Sequence, residues 1–347
     1  MPDIMSLMNS LYYSDLRPDL PSTLMIEPTN ACNLKCHMCD YQKQFKGARS
    51  YLSLRDFESI IAQFPKINGL ILCGLGEPLL NENIVEMVRA AKKKNIPFIN
   101  LITNGILLNE ELFKSLIKSG LSRIQISFHS ADPGIAMRIN GMPVREHSRV
   151  RDNILKAVKV RDTMGDGIPI VINSVMNIEN IDDLFNLIDF CEANKIDEIN
   201  FVQLTTVFGK YNSFNIARDR AAVLLKKIKA RLRGSPLRAS FLSGTGAGRC
   251  YQFWNFIMVH ADGNISPCNG IMPHENIGIG NLLHNSISGI WHSDKYAQLR
   301  QSVIERRLEN CKYCEVGYSL EGKNLQWINN YYLKPLIRKL YHCIRDE

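Results

Sequence analysis

Arg123-Ile124-Gln125-Ile126-Ser127-Phe128-His129 is the stretch whose reading decides the fold. Its side chains alternate strictly, with Gln125, Ser127 and His129 on one side and Ile124, Ile126 and Phe128 on the other. A period of two is the mark of an extended strand. A parallel strand covered by helices on both faces is apolar on both, so this strand is covered on one face and lines something polar with the other. Comparable runs occur at about 24–29, 67–73, 98–104, 168–175 and 198–205, and each of the six is followed by a stretch of helical periodicity. Asn100 with Asn104, and Gln203 with Thr205, repeat the polar pattern on neighbouring units. Six strand–helix units joined by right-handed crossovers make an α/β fold. The polar inner face bends its sheet into a partial (β/α)6 TIM-like barrel, two units short of eight-stranded closure.

Helix starts agree with this order. Ser53, Asn81, Asn109 and Asn180 each stand ahead of acidic first-turn residues and offer a capping oxygen. Gly120 and Gly165 stand where helices end.

The chain has 347 residues, 45% of them hydrophobic and 22% charged, enough for one large domain and a smaller one. Residues 1–22 form an irregular N-terminal extension closed by Pro18 and Pro21, with no room for a further folded module, and 23–215 form the barrel. Residues 216–249 read as a basic helix and a linker, 250–322 as a small cysteine-bearing domain, and 323–347 as a basic, aromatic C-terminal segment. The glycine-rich stretch 243–248 follows no strand and opens no helix, which argues against a nucleotide loop.

No apolar run approaches the roughly 18 residues that span a bilayer, and the N-terminus lacks a basic stretch followed by an apolar core. A cytoplasmic location is expected. The formal charge of +8 favours anionic partners. The basic residues fall on ordinary helix faces with few aromatics among them, which argues against nucleic acid as a partner. The C-terminal segment has the composition of a helix resting on anionic lipid, but Pro335 interrupts it, and docking against the barrel is the favoured reading.

Ten cysteines in such a protein point to metal or redox chemistry rather than a disulfide framework. Cys32, Cys36 and Cys39 stand as CxxxCxxC just past the first strand. Three thiolates are one ligand short of a closed tetrahedral site and leave a coordination position for something the protein does not supply. Cys250, Cys268, Cys311 and Cys314 make a second set of four, sufficient for a closed site holding zinc or iron and sulfur. Cys73, Cys191 and Cys343 remain, and the first two, in apolar runs, read as small core residues.

The CxxxCxxC motif with strand–helix repeats resembles the radical S-adenosylmethionine (radical SAM) superfamily over about residues 23–210. Leu72-Cys73-Gly74-Leu75-Gly76-Glu77-Pro78 is similar to the family's GGEP segment, and Thr103-Asn104-Gly105 to the end of its third strand. The residue before the third motif cysteine, usually aromatic in the family, is Met38. The region 250–316 resembles the SPASM/twitch extensions of that superfamily, with Trp254, Asp262-Gly263, Gly280-Asn281-Leu282 and Ile290-Trp291 between its cysteines. Leu320 stands where a full SPASM domain continues with a further cysteine, so one auxiliary cluster is expected, as in the shorter twitch form.

The resemblance implies that Cys32, Cys36 and Cys39 hold a 4Fe-4S cluster whose fourth iron is chelated by S-adenosylmethionine. It implies an auxiliary 4Fe-4S cluster on Cys250, Cys268, Cys311 and Cys314, and an external one-electron donor such as flavodoxin or ferredoxin. Gly74 and Gly76 would let backbone approach the ligand, Glu77 would accept from the methionine ammonium, Asn104 and Ser127 would hold the ribose, and Arg138 the methionine carboxylate. The implied reaction is reductive cleavage to a 5'-deoxyadenosyl radical that abstracts hydrogen from substrate.

The polar inner face and single auxiliary cluster point to a small polar substrate, a sugar, cyclitol or amino alcohol, undergoing two-electron oxidation with the auxiliary cluster as electron acceptor. His129, two residues beyond Ser127 on the inward face, is the candidate base for the substrate hydroxyl. The alternatives are a maturase acting on a ribosomally made peptide and a redox-neutral radical epimerase using one of the remaining thiols. A metal-stabilised binding or electron-transfer protein accounts for the cysteines but not for the Gly74–Pro78 and Thr103–Gly105 segments.

Overall fold

The computed structural model describes residues 15–39, 48–165, 167–203, 218–242, 250, 252–268, 278–305, 307–308 and 311. The expectations for residues 1–14, Thr205, the 243–248 stretch, Cys314, Cys343 and the 323–347 segment lie outside the described residues. The six expected strands are present as β1 (Thr23–Ile26), β2 (Gly69–Leu72), β3 (Ile99–Thr103), β4 (Arg123–Ser127), β5 (Ile170–Met176) and β6 (Glu198–Gln203). Each pairs in parallel with the next. Between them run α1 (Leu54–Ala62), α2 (Ile84–Lys93), α3 (Glu110–Lys118), α4 (Pro133–Asn140), α5 (Val144–Met164) and α6 (Leu184–Ala193).

Two capping expectations hold atom for atom. Ser53 Oγ accepts from the Asp56 amide at 3.0 Å and Asn109 Oδ1 from the Leu112 amide at 2.9 Å. Two do not. Asn81 lies two residues ahead of the N-cap of α2, and its Nδ2 joins loops by donating to the Pro28 and Leu52 carbonyls at 2.7 and 2.9 Å. Asn180 is fully buried ahead of α6, with Nδ2 donating to the carbonyls of His129 and Val175 at 2.8 and 2.9 Å. In both, a carboxamide carrying donor and acceptor serves tertiary contacts that a local pattern does not reveal.

The region 216–249 is more than a helix and a linker. After α7 (Arg218–Arg231), strand β7 (Arg238–Leu242) pairs in parallel with β6 and extends the barrel wall. Beyond it come α8 (Gln252–Asn255), β8 (Phe256–Val259), β9 (Ile265–Ser266), α9 (Ile287–Trp291) and α10 (Asp294–Ile304). Strand β8 runs parallel to β1 at the other edge, and β9 is antiparallel to β8. The sheet order is β7-β6-β5-β4-β3-β2-β1-β8-β9, an open wall. The C-terminal region is thus joined to the barrel at its first strand. Residues ahead of β1 reinforce the join: Trp254 Nε1 donates to the Asp15 carbonyl at 2.8 Å, and Arg300 Nη1 to the Leu16 carbonyl at 2.7 Å.

The main apolar core lies between the sheet and its helices, where Ile124, Ile126 and Phe128 pack outward as their alternation requires. The inner face is divided. On β1, β2 and β8 it is apolar, with Met25, Ile71, Phe256 and Met258 forming their own cluster against Cys73 and Ile102. On β4 to β7 it is polar. Asn173 Nδ2 donates to Gln125 Oε1 at 2.8 Å, Asn200 Nδ2 to Asn173 Oδ1 at 2.7 Å, and Ser240 Oγ to Asn200 Oδ1. Phe201 packs outward in the core, so the inward polar residues of β6 are Glu198 and Asn200; the expectation for the side chains of Gln203 and Thr205 lies outside the described residues.

The polar wall ends at its base in an ion pair, Arg123 Nη2 to Glu198 Oε1 at 2.9 Å, with side chains only 12% and 15% exposed. Removing one partner leaves the other charge without compensation in a poorly solvated place. We expect Glu198→Ala to lower stability by about 3 kcal/mol in urea unfolding, and an Arg123→Met/Glu198→Met double replacement to recover most of that loss.

Candidate active site

The candidate residues gather on the loops that follow β1 to β4, at the carboxyl ends of the strands, where barrels of this kind carry their chemistry. The cysteine loop follows β1. Cys32, Cys36 and Cys39 are each half-buried, the Cys39 amide donates to the Cys36 carbonyl at 3.0 Å, and the Leu34 amide points at Cys32 Sγ at 3.4 Å. Burial, then the neighbouring sulfurs Cys39 and Cys32, pushes the Cys36 thiol up to about 12, and burial likewise raises Cys32. The loop is clipped to the end of α4 by His37, whose amide donates to the Ile139 carbonyl at 3.0 Å and whose Nδ1 lies 2.9 Å from the Arg138 carbonyl.

The donor set fits a cluster. Three soft thiolates on one short loop suit iron and sulfur, and loading displaces the protons that burial keeps on them. Among the described residues no three His, Cys, Asp or Glu side chains converge as on a single ion; a cubane instead takes one thiolate per iron.

Gly74, Gly76 and Glu77 form the turn after β2. A Cβ on Gly74 would run into the Glu27 side chain, and one on Gly76 into the carbonyl oxygens of Thr29 and Ala31. The glycines therefore let this turn pack against the segment entering the cysteine loop, a reason distinct from ligand approach. Glu77 is 2% exposed. Its amide donates to the Ala31 carbonyl at 2.7 Å, its Oε1 accepts from Thr103 Oγ1 at 2.5 Å and the Leu79 amide at 3.1 Å, and its Oε2 accepts from the Asn104 amide at 2.7 Å. Burial raises its carboxyl above the ordinary value, and these bonds oppose the rise.

Asn104 and Ser127 end neighbouring strands. Asn104 Nδ2 donates to Asn33 Oδ1 at 2.7 Å, linking the turn after β3 to the cysteine loop, while its Oδ1 accepts from the Ile106 amide at 3.0 Å. Ser127 is half-buried, and among the described residues its hydroxyl forms no hydrogen bond. Arg138 is exposed on α4, with Nε paired to Glu179 Oε2 at 2.6 Å.

His129 lies past the end of β4, 6% exposed. Where the ladder to β5 stops, its Nδ1 accepts from the Val175 amide at 3.2 Å. With Nδ1 accepting, the neutral ring carries its hydrogen on Nε2. Burial also holds its imidazole down to about 4.

In the second cysteine set, Cys250 and Cys268 pack against Phe253 and Trp254 together with Leu299, Val303 and Leu308, and the Cys311 amide donates to the Leu308 carbonyl at 3.0 Å. Cys191 is a buried core residue, as expected, whereas Cys73 is half-buried on the inner face with its thiol pushed up to about 12 by burial. Sequence reading singled out Thr103 only as part of the Thr103-Asn104-Gly105 segment and gave no role to Asn33, His37 or Glu27. Glu27 left a signal, an acid directly after the apolar run Leu24-Met25-Ile26.

Residues 26–191 match the Radical SAM superfamily, and residues 250–315 match the iron-sulfur cluster-binding SPASM domain. A PqqA peptide cyclase of Gluconobacter oxydans is 24% identical over 308 residues, covering 86% of this chain and 84% of that protein. A probable GTP 3',8-cyclase of Sulfolobus acidocaldarius is 35% identical over 187 residues, 53% of this chain and 56% of that one. Among solved structures, Streptococcus suis SuiB bound to precursor peptide SuiA superposes with a TM-score of 0.69 at 19% identity, over 90% of this chain and 76% of that one. The anSMEcpe protein with bound AdoMet and Cp18Cys peptide gives 0.62 at 18%, over 92% and 99%. At such identities the two structures show the fold.

His129 gives a pH prediction. The unfolded chain protonates this ring near the ordinary value of about 6.5, whereas the folded one does so only near 4. The unfolded state therefore binds more protons in that window. Stability attached to the neutral ring is complete above about 6.5 and falls by about 3 kcal/mol as pH drops to 4. Melting temperatures of a His129→Asn variant, which keeps an acceptor for the Val175 amide, should decline less between pH 7 and pH 4.5 than those of the parent.

Proposed function

Because the chain is a radical SAM protein with a C-terminal SPASM domain, we propose that it modifies a peptide substrate. The observation carrying this reading is the likeness along most of both chains to a peptide cyclase. Fold neighbours whose structures hold peptides add support. The small polar substrate and the two-electron oxidation, favoured when the inner face is read from sequence alone, take second place; their remaining support is the polar wall on β4 to β7 and the partial likeness to a nucleotide cyclase. No helix among the described residues is long and apolar enough to cross a membrane.

Cys32, Cys36 and Cys39 would hold the N-terminal cluster, and Cys250, Cys268, Cys311 and Cys314 the auxiliary one. Bound there, cluster and S-adenosylmethionine supply one-electron, hydrogen-abstracting chemistry. The chain's own residues bind, orient and keep out water. Ser127, with its hydroxyl uncommitted among the described residues, is the group best able to hold a ribose hydroxyl. Asn104 has a second amide hydrogen beyond the one given to Asn33. Glu77, with each carboxylate oxygen already accepting, meets a ligand ammonium only through remaining lone pairs and serves first to hold the turn that presents Gly74 to Gly76. Arg138 reaches a carboxylate with the nitrogens not given to Glu179. His129, whose Nδ1 accepts from the Val175 amide, has its Nε2 hydrogen left to offer a substrate.

The test is anaerobic incubation of the reconstituted chain with S-adenosylmethionine, a reductant such as reduced flavodoxin, and candidate substrates. Peptides encoded near the gene should raise 5'-deoxyadenosine formation and change mass; stimulation by sugars or amino alcohols alone would sink the peptide reading. Serine replacement of Cys311 and Cys314 should leave the N-terminal cluster spectroscopically intact while abolishing product. Full turnover by that folded variant would remove the auxiliary cluster from the reaction.

A further inference from the structure

Three parts of the site converge on Glu27, which none of the roles above uses. It follows β1 directly and is 1% exposed. Its amide continues the β1–β8 ladder to the Val259 carbonyl at 2.9 Å. Its Oε1 accepts from the Leu75 amide at 2.5 Å, in the middle of the Gly74–Glu77 turn. Its Oε2 accepts from the Ala261 amide at 3.2 Å, at the start of the hairpin that leads through β9 to Cys268. His260 Nδ1, 3.6 Å from Oε2, has no hydrogen bond, and its Nε2 lies 2.8 Å from Ser266 Oγ. Gly74 lacks the Cβ that would collide with this carboxylate's stem.

A carboxylate here is costly to bury, and the neighbouring inward positions hold Met25, Ile71 and Met258. What Glu27 adds over such a residue is a pair of acceptors that gathers amides from two separate segments. We propose that Glu27 is a positioning residue for S-adenosylmethionine: its carboxylate fixes the Leu75 amide, and with it the Gly74–Glu77 turn, and through the Ala261 amide it ties that turn to the hairpin carrying Cys268. Glycines on both sides of Leu75 give the turn more backbone freedom than any other residues would. A built-in acceptor removes that freedom during folding, so the ligand meets an ordered turn. The inference rests on the radical SAM premise and is independent of the peptide reading.

The test uses the full chain with its clusters reconstituted. Glu27→Gln keeps the shape but offers one acceptor oxygen, its nitrogen being a donor. This variant should load iron as the parent does, bind S-adenosylmethionine about tenfold more weakly, and exchange the Leu75 amide hydrogen faster in the absence of ligand. The perturbation that S-adenosylmethionine causes in the paramagnetic spectrum of the reduced N-terminal cluster should require correspondingly more ligand. Parental affinity together with parental Leu75 exchange overturns the proposal. Should Glu27→Gln fail to load iron, Glu27→Asp, too short to reach both amides, takes its place, and parental affinity there overturns it equally. Failure of the iron-loaded parent to bind S-adenosylmethionine would instead overturn the radical SAM premise.

Discussion

The mouth of the barrel is held by one buried carboxylate. Glu77 binds the cysteine loop through its own amide and the turn after β3 through both carboxylate oxygens. From that turn Asn104 reaches back to Asn33 between the first two cysteines. The three loops therefore form a closed circuit of hydrogen bonds rather than three independent excursions. Loops of this size placed independently would each have to be ordered by the ligand, at a cost of about 1 kcal/mol or more per residue fixed. Here folding orders them, and the cysteines inherit their positions from groups that never touch a metal.

That arrangement explains which features were legible from sequence. Strands β1 to β6 were readable because alternation and apolar runs are local and repeat six times. Strand β7 was not, since Arg238-Ala239-Ser240-Phe241-Leu242 is short, weakly alternating and follows the breaker Gly234-Ser235-Pro236. Asn81 and Asn180 looked like caps because their local context is that of caps; the distant carbonyls of Pro28 and His129, invisible to a local pattern, are what draw their amide nitrogens away. The cysteines were legible because metal chemistry restricts residue type and spacing together. Gly74 and Gly76 were singled out for ligand approach, and the geometry adds a reason no local pattern shows: the chain's own Glu27, Thr29 and Ala31 press against them.

The same distinction bears on the auxiliary region. Sequence spacing alone presents residues 250 onward as an appended module, but β8 lies in register on β1, with Met258 opposite Met25. The strand that delivers the chain to the first cysteine set is thus flanked by the strand that leads toward Cys268. The loop carrying Cys32, Cys36 and Cys39 and the hairpin that ends near Cys268 therefore leave from adjacent, paired strands, although more than two hundred residues separate them in sequence.

The polar wall shows why a correct structural reading can support a weak functional one. Alternation on β4 rightly placed Gln125 toward the interior, and a polar interior suggests a hydroxylated ligand. Yet Gln125, Asn173, Asn200 and Ser240 largely satisfy one another across four strands, as buried polar groups must. Each such bond uses a donor and an acceptor that a sugar would need. The inner positions of β1, β2 and β8 are instead apolar, held by Met25, Ile71, Phe256 and Met258. An inner face hydrogen-bonded to itself on one part and apolar on the other leaves few free polar groups for a ligand that is hydroxylated all round, so the polarity read from β4 does not by itself argue for a sugar.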